Sequence, residues 1–134
     1  MKSLTLVSRI LLGLTFTLFG LNGFLHFIKI PPPEGVAAQF MGALVVSHYL
    51  IPVFALQVTA GLLLLANRFV PLALVLLAPI IVNIALYHAL MAPHGGSLVA
   101  ATIALWVMVF HGERTVFGGL LASTPGRSDA PDHS

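Results

Sequence analysis

From Leu4 to Phe110 the chain carries only four charged residues, Arg9, Lys29, Glu34 and Arg68, and the stretches between them are apolar. That scarcity of charge constrains the fold more than any motif. A soluble domain needs a polar coat, yet charged residues make up 7% of this chain against a usual share of about 25%. Hydrophobic residues make up 58%, and the mean hydropathy is +1.03. The solvent for such a chain is mostly lipid. Backbone N–H and C=O groups cannot be left unpaired there, so the apolar runs must be helices. The alternating pattern of a membrane barrel is absent.

Four runs are long enough to span: about residues 4–28, 49–66, 69–91 and 97–110. Crossing a hydrocarbon core of about 30 Å takes about 20 helical residues. The first and third runs meet this comfortably, and the fourth does so by continuing through His111 and Gly112. The opening "MKSLTLVSRILLGL" has the look of a secretion signal. No small-x-small cleavage site follows, however, and the run continues as a full span.

With four spans, both termini share a side. That side holds Lys2, Arg9, Arg68, Arg114 and Arg127, and the other holds only Lys29. The positive-inside rule makes the termini cytoplasmic. The connections "ANR" and "APHGG" are short, so consecutive spans are antiparallel neighbours. The expected fold is therefore all-α: a membrane-spanning up-down four-helix bundle. The first connection is longer. It opens on Pro31–Pro33, which cannot continue a helix. Then Val36, Ala37, Phe40, Met41, Leu44 and Val45 fall at helical spacing, predicting a short helix at the outer interface or folded over the bundle mouth. Residues 1–112 read as one transmembrane domain. Residues 113–134, ending "STPGRSDAPDHS", read as a disordered cytoplasmic tail.

Composition also excludes. The chain has no cysteine, which rules out disulfides, thiolate metal sites and iron–sulfur clusters held by this chain. Six Lys and Arg against four Asp and Glu, scattered, form no basic stripe for nucleic acid.

Polar residues inside the spans carry the functional question. Asn22 lies roughly 9 Å and His26 roughly 3 Å below the outer end of the first span. Gln57 in the second span and Asn83 in the third both lie roughly 12 Å down, with Tyr87 above Asn83. Ser8, Leu12, Thr15, Phe19, Asn22 and His26 make one helical stripe, Asn83 shares a face with Tyr87, and Gln57 shares one with Phe54 and Gly61. His88, five residues from Asn83, points elsewhere. Asn22, His26, Gln57, Asn83 and Tyr87 are thus expected to face one another.

Two readings of these five residues stand. In the first they are structural, bonding helix to helix for about 0.6 kcal/mol each. In the second they line an outward-opening pocket for a quinone head group. Amides and a phenol would donate to its carbonyl oxygens, and His26 would exchange protons. A metal or haem site on His26 and His88 is disfavoured, because no carboxylate lies nearby. A hydrolytic triad cannot be assembled.

The runs "RILLGLTFTLFGLNGFLHF", "PPPEG" and "ANRFVPLALVLLAPIIVNIALYH" resemble the DoxX family of small four-helix membrane proteins, over roughly residues 8–112. The strongest pieces are Asn22-Gly23 with His26-Phe27, and Arg68 through Pro71 and Pro79 to Asn83. The resemblance implies a bundle in a bacterial cytoplasmic membrane and a link to quinone-dependent oxidoreductases. It also implies an acidic residue in the second span, where this chain has Gln57, which cannot carry a proton. The leading expectation is a quinone-associated subunit or partner of a membrane oxidoreductase, itself catalytic or not. The alternatives are a ligand-free membrane anchor or adaptor for a soluble partner, and a small-molecule transporter. A transporter would have to form a homo-oligomer, for which Gly13, Gly20 and Gly23 offer a close-packing edge.

Overall fold

The computed structural model describes residues 2–29 and 31–118, and every regular element in it is helical. The helices are α1 (Lys2–Leu25), α2 (Gly35–Val46), α3 (Leu50–Ala66), α4 (Val70–Leu90), α5 (Gly96–Gly112) and α6 (Arg114–Phe117). By length and composition α1 and α4 can each cross a membrane. α2 and α3 qualify only together, as a pair bent by 87°, and α5 is apolar but shorter. Two helices, or three with the bent pair, meet the requirement for a span.

Local chemistry sets the helix ends. α1 stops three residues short of the end of its apolar run, because His26 turns into the left-handed region at φ 53°. Asn22 closes that end twice. Its carbonyl accepts the His26 N–H at 2.8 Å, and its side-chain Oδ1 accepts the Ile28 N–H at 2.6 Å. α3 ends on a left-handed Asn67, and the Arg68 N–H returns to the Leu63 carbonyl at 3.0 Å, as in a Schellman close. Pro71 sits in the first turn of α4, where a missing N–H costs nothing.

The most extensive helix pairing is α1 with α3; α1 also packs on α5, α3 on α4, and α4 on α5. α1 and α3 run antiparallel with their backbones almost touching. A Cβ on Gly61 would lie 2.7 Å from the Thr17 backbone nitrogen and 2.9 Å from the Gly13 carbonyl oxygen. Gly20 faces the Cβ of Gln57, and Gly23 faces the ring of Phe54. The glycine edge expected to join copies of the chain is therefore spent inside it.

The core gathers Leu12 and Phe16 of α1, Leu64 of α3, Leu74 and Leu77 of α4 and Val109 of α5. Trp106 of α5 donates its indole N–H to the Leu74 carbonyl of α4 at 3.0 Å and stacks on Phe110. Helical order runs past the expected boundary at Gly112: α6 follows, and Phe117 is buried against Phe110. The rest of the expected tail lies outside the described residues.

The outside is as apolar as the inside. Leu11, Leu14 and Leu18 of α1 and Leu72, Val82, Leu86 and Leu90 of α4 are all exposed. A surface of that kind suits a lipid bilayer. α2 is the least packed long element. Only Ala37 is buried, and Phe40 rests on Tyr87 with ring centres 6.0 Å apart. The helix runs crosswise to α3, at 87° to it.

Gly61→Ala should force α1 and α3 apart and lower stability by about 1–3 kcal/mol, as overpacked cores do. Gly42→Ala, in α2 with nothing within 4 Å, should be neutral or stabilising by up to about 1 kcal/mol. Thermal unfolding of both variants in one mild detergent measures the contrast.

Candidate functional site

Four polar residues are buried among those described: Ser8, Thr17, Asn22 and Gln57. Three belong to α1, and the fourth, on α3, has its Cβ against Gly20. Several threonines on the helices bond back to their own backbone. Thr15, Thr59 and Thr102 each donate to the carbonyl four residues earlier, at 2.8–2.9 Å. Thr17 breaks this pattern. Its Oγ1, held between α1 and Gly61, is fully shielded and has no hydrogen-bond partner. The Gln57 amide, on a residue 7% exposed, also makes no hydrogen bond among the described residues.

The five residues expected to face one another do not gather. Asn22 and Gln57 are the buried pair. Asn22 spends its Oδ1 on the Ile28 N–H, which makes it an anchor for the chain leaving α1. His26 is exposed beyond the helix end, because the left-handed turn that stops α1 carries it off the Asn22 stripe. Asn83 is exposed on the outer side of α4. Its amide N–H donates to the Pro79 carbonyl of its own helix at 2.8 Å, so it needs no partner from a neighbouring helix. Tyr87 is half-buried and turns toward α2 and His88, meeting Phe40 and the edge of the His88 ring.

His88, not His26, is the histidine that lines an open groove. Between α4 and α5 lies a groove of about 370 Å³, lined by Ala85, His88 and Ala89 on one side and Gly96, Ala100 and Ile103 on the other. His88 Nδ1 lies 2.9 Å from the Ile84 carbonyl oxygen. A carbonyl only accepts, so Nδ1 carries the proton. In the uncharged ring Nε2 is then a free acceptor. Nε2 lies 3.3 Å from where a Gly95 Cβ would be, and Gly95 has φ 90°, so a bare backbone leaves room there. Tyr87 braces the ring edge-on with centroids 5.2 Å apart. The signal was available in the sequence: small residues flank His88 at Ala85 and Ala89, and the facing helix opens with Gly96 and Ala100.

At the opposite end Arg9 is half-buried. Its guanidinium donates to the Leu64 carbonyl and, at 3.5 Å, to that of Leu65. A cation on the last carbonyls of α3 complements that helix dipole. No group of three or more His, Asp or Glu that could hold a metal ion occurs among the described residues. No protein-family model, curated protein or solved structure significantly matches the chain.

Asn22→Leu should free the Ile28 amide and leave the end of α1 unclosed. The expected loss is about 1–3 kcal/mol, with amide exchange accelerated at residues 26–29 and unchanged in α4. Hydrogen–deuterium exchange read by mass spectrometry checks both halves of that statement.

Proposed function

We propose that this chain is a DoxX-like protein of a bacterial cytoplasmic membrane and a quinone-associated subunit or partner of a membrane oxidoreductase. In this reading α1, α3, α4 and α5 cross as an up-down bundle, and α2 lies along the outer interface. Both termini are cytoplasmic. Two features support the topology. Arg9 reaches the C-terminal end of α3, and Gly112 of α5 lies against Thr5 of α1. Lys2, Arg9, Arg68 and Arg114 therefore share one end of the molecule, and lipid bilayers favour that end inside.

One observation carries the ligand reading: an apolar groove between α4 and α5 whose single polar lining residue is His88. Such a groove accepts an apolar body and offers one polar anchor, the usual composition of a site for a small amphipathic molecule. Of the residues expected to hold a head group, Tyr87 stands beside this groove through its contact with His88, while Asn22 and Gln57 belong to the α1–α3 contact. Electrons for a bound quinone would come from a partner protein, since the chain has no thiolate for an iron–sulfur cluster.

The adaptor reading has its own support. The Asn22 and Asn83 side chains each make their one hydrogen bond to a backbone group of this chain, as those of structural residues do. Purification in mild detergent, followed by mass spectrometry and absorbance, separates the two readings. A quinone present in near-stoichiometric amount, and lost with Ala89→Phe in the groove, is the expected result. A ligand-free protein that stays so after quinone is added would favour the adaptor.

The topology is tested by cysteines placed in this cysteine-free chain. Ser97→Cys should react with a membrane-impermeant maleimide on intact spheroplasts. Ser3→Cys should react only after the membrane is opened.

A further inference from the structure

We propose that a second groove, between α1 and α5 at the end of the molecule that carries Lys2 and Arg114, holds an anionic phospholipid of the surrounding bilayer. Its phosphate sits between the two cations, and one acyl chain lies along the groove. This site is separate from the α4–α5 groove and does not depend on what that groove holds.

The α1–α5 groove has a volume of about 230 Å³ and is lined by Leu4 and Thr5 of α1 and by Val107, Met108 and His111 of α5. Leu4 and Val107 are exposed, so the groove opens on the outside of the helices, where a bilayer brings hydrocarbon. Thr5 turns toward α5: a Cβ on Gly112 would lie 2.8 Å from its Cγ2. Lys2 is three residues earlier on α1, one turn nearer the helix end, and shares that face. On the opposite wall the Arg114 guanidinium donates to the His111 carbonyl at 2.7 Å. That bond holds the guanidinium beside the groove and leaves most of its N–H donors for a phosphate, which arginine grips through two parallel bonds.

Charge decides the occupant. Among the described residues neither Lys2 nor Arg114 is paired with a carboxylate. Glu113, the one acid at this end among them, makes no ion pair with either. Two unpaired cations at the end of an apolar groove match a molecule with an anionic head and a hydrocarbon tail. A zwitterionic lipid brings the same tail and phosphate, but its ammonium offsets the charge. Each basic residue near a membrane surface is worth roughly fivefold in affinity for anionic lipid.

The test places the full chain in mixed micelles of equal phosphatidylglycerol and phosphatidylcholine, washes it in mild detergent, and counts the retained lipid by mass spectrometry. Phosphatidylglycerol should be retained roughly tenfold over phosphatidylcholine. Lys2→Gln combined with Arg114→Gln should bring the two lipids to parity. Arg68→Gln, at the same end but outside the groove, should change the preference by less than about twofold. Wild-type protein that retains the two lipids equally, or retains neither, overturns the site. So does an Arg68→Gln loss as large as that of the double variant, which would mark a diffuse field. A wash with inorganic phosphate should release no more phosphatidylglycerol than a chloride wash of equal ionic strength. Greater release by phosphate would show that the anion alone is bound, and the lipid assignment falls. The wild-type comparison needs no variant, so misfolding cannot mimic its result.

Discussion

A donor on such apolar helices has few partners to turn to, and much of the structure is the record of how most of them are met inside the chain. Threonines at 15, 59 and 102 fold back on their own helix, and Asn83 does the same onto Pro79. Trp106 crosses from α5 to the Leu74 carbonyl, and Arg9 crosses from α1 to the end of α3. Asn22 receives the Ile28 N–H and so decides where α1 stops and where the first connection leaves. An unmet polar group in an apolar surround costs several kcal/mol, far more than any one helix contact contributes. Polar satisfaction therefore sets the helix ends and two of the cross-ties, while apolar packing fills the space between.

The α1–α3 contact shows what the same constraint does to packing. Lipid is as apolar as leucine, so helices in it gain little by hiding leucines from it and much by close backbone approach. Gly61 against Gly13 and Thr17 supplies that approach. Closeness has a consequence for Thr17, whose hydroxyl is shut off from every acceptor by the contact that Gly61 makes possible. Gln57 is buried one turn away without a hydrogen bond.

These details explain what was legible in the sequence. Apolar runs and their breaks located the helices well, because length and proline placement report directly on lipid crossing. The short helix of residues 35–46 and the burial of Asn22 and Gln57 were also legible, from spacing alone. Asn83 was not. Periodicity tells which residues share a face, but α4 is apolar all the way round, so nothing in its pattern says which sector meets its neighbours. The cost of an unbonded amide in lipid predicts an inward Asn83, whereas its N–H bonds its own helix and the residue faces out. The end of α1 was missed for a related reason: the apolar run continues to Ile28, but the left-handed turn at His26 is a backbone event that hydropathy does not register. Glycines at 13, 20 and 23 mark a close-packing edge in the sequence, but not its partner, which within the chain is α3.

The two helix seams then differ in what they can do. Where α1 meets α3, a Cβ at Gly61 would already clash with backbone, so the two helices are in close contact there. Where α4 meets α5, small residues are present too, at Ala85, Ala89, Gly96 and Ala100, yet the helices stay apart. Farther along the same pair, the Trp106 indole is seated between them, bonded to Leu74 and stacked on Phe110 at 5.1 Å. An indole is too thick to permit the backbone contact that glycine allows, so the small residues beyond it line a groove instead of a weld. His88 stands on that groove with one nitrogen committed to Ile84 and the other free. An open volume and a histidine with one committed nitrogen lie together at this seam, and that coincidence is what turns the proposed ligand reading toward the α4–α5 groove and away from the buried amides of α1 and α3.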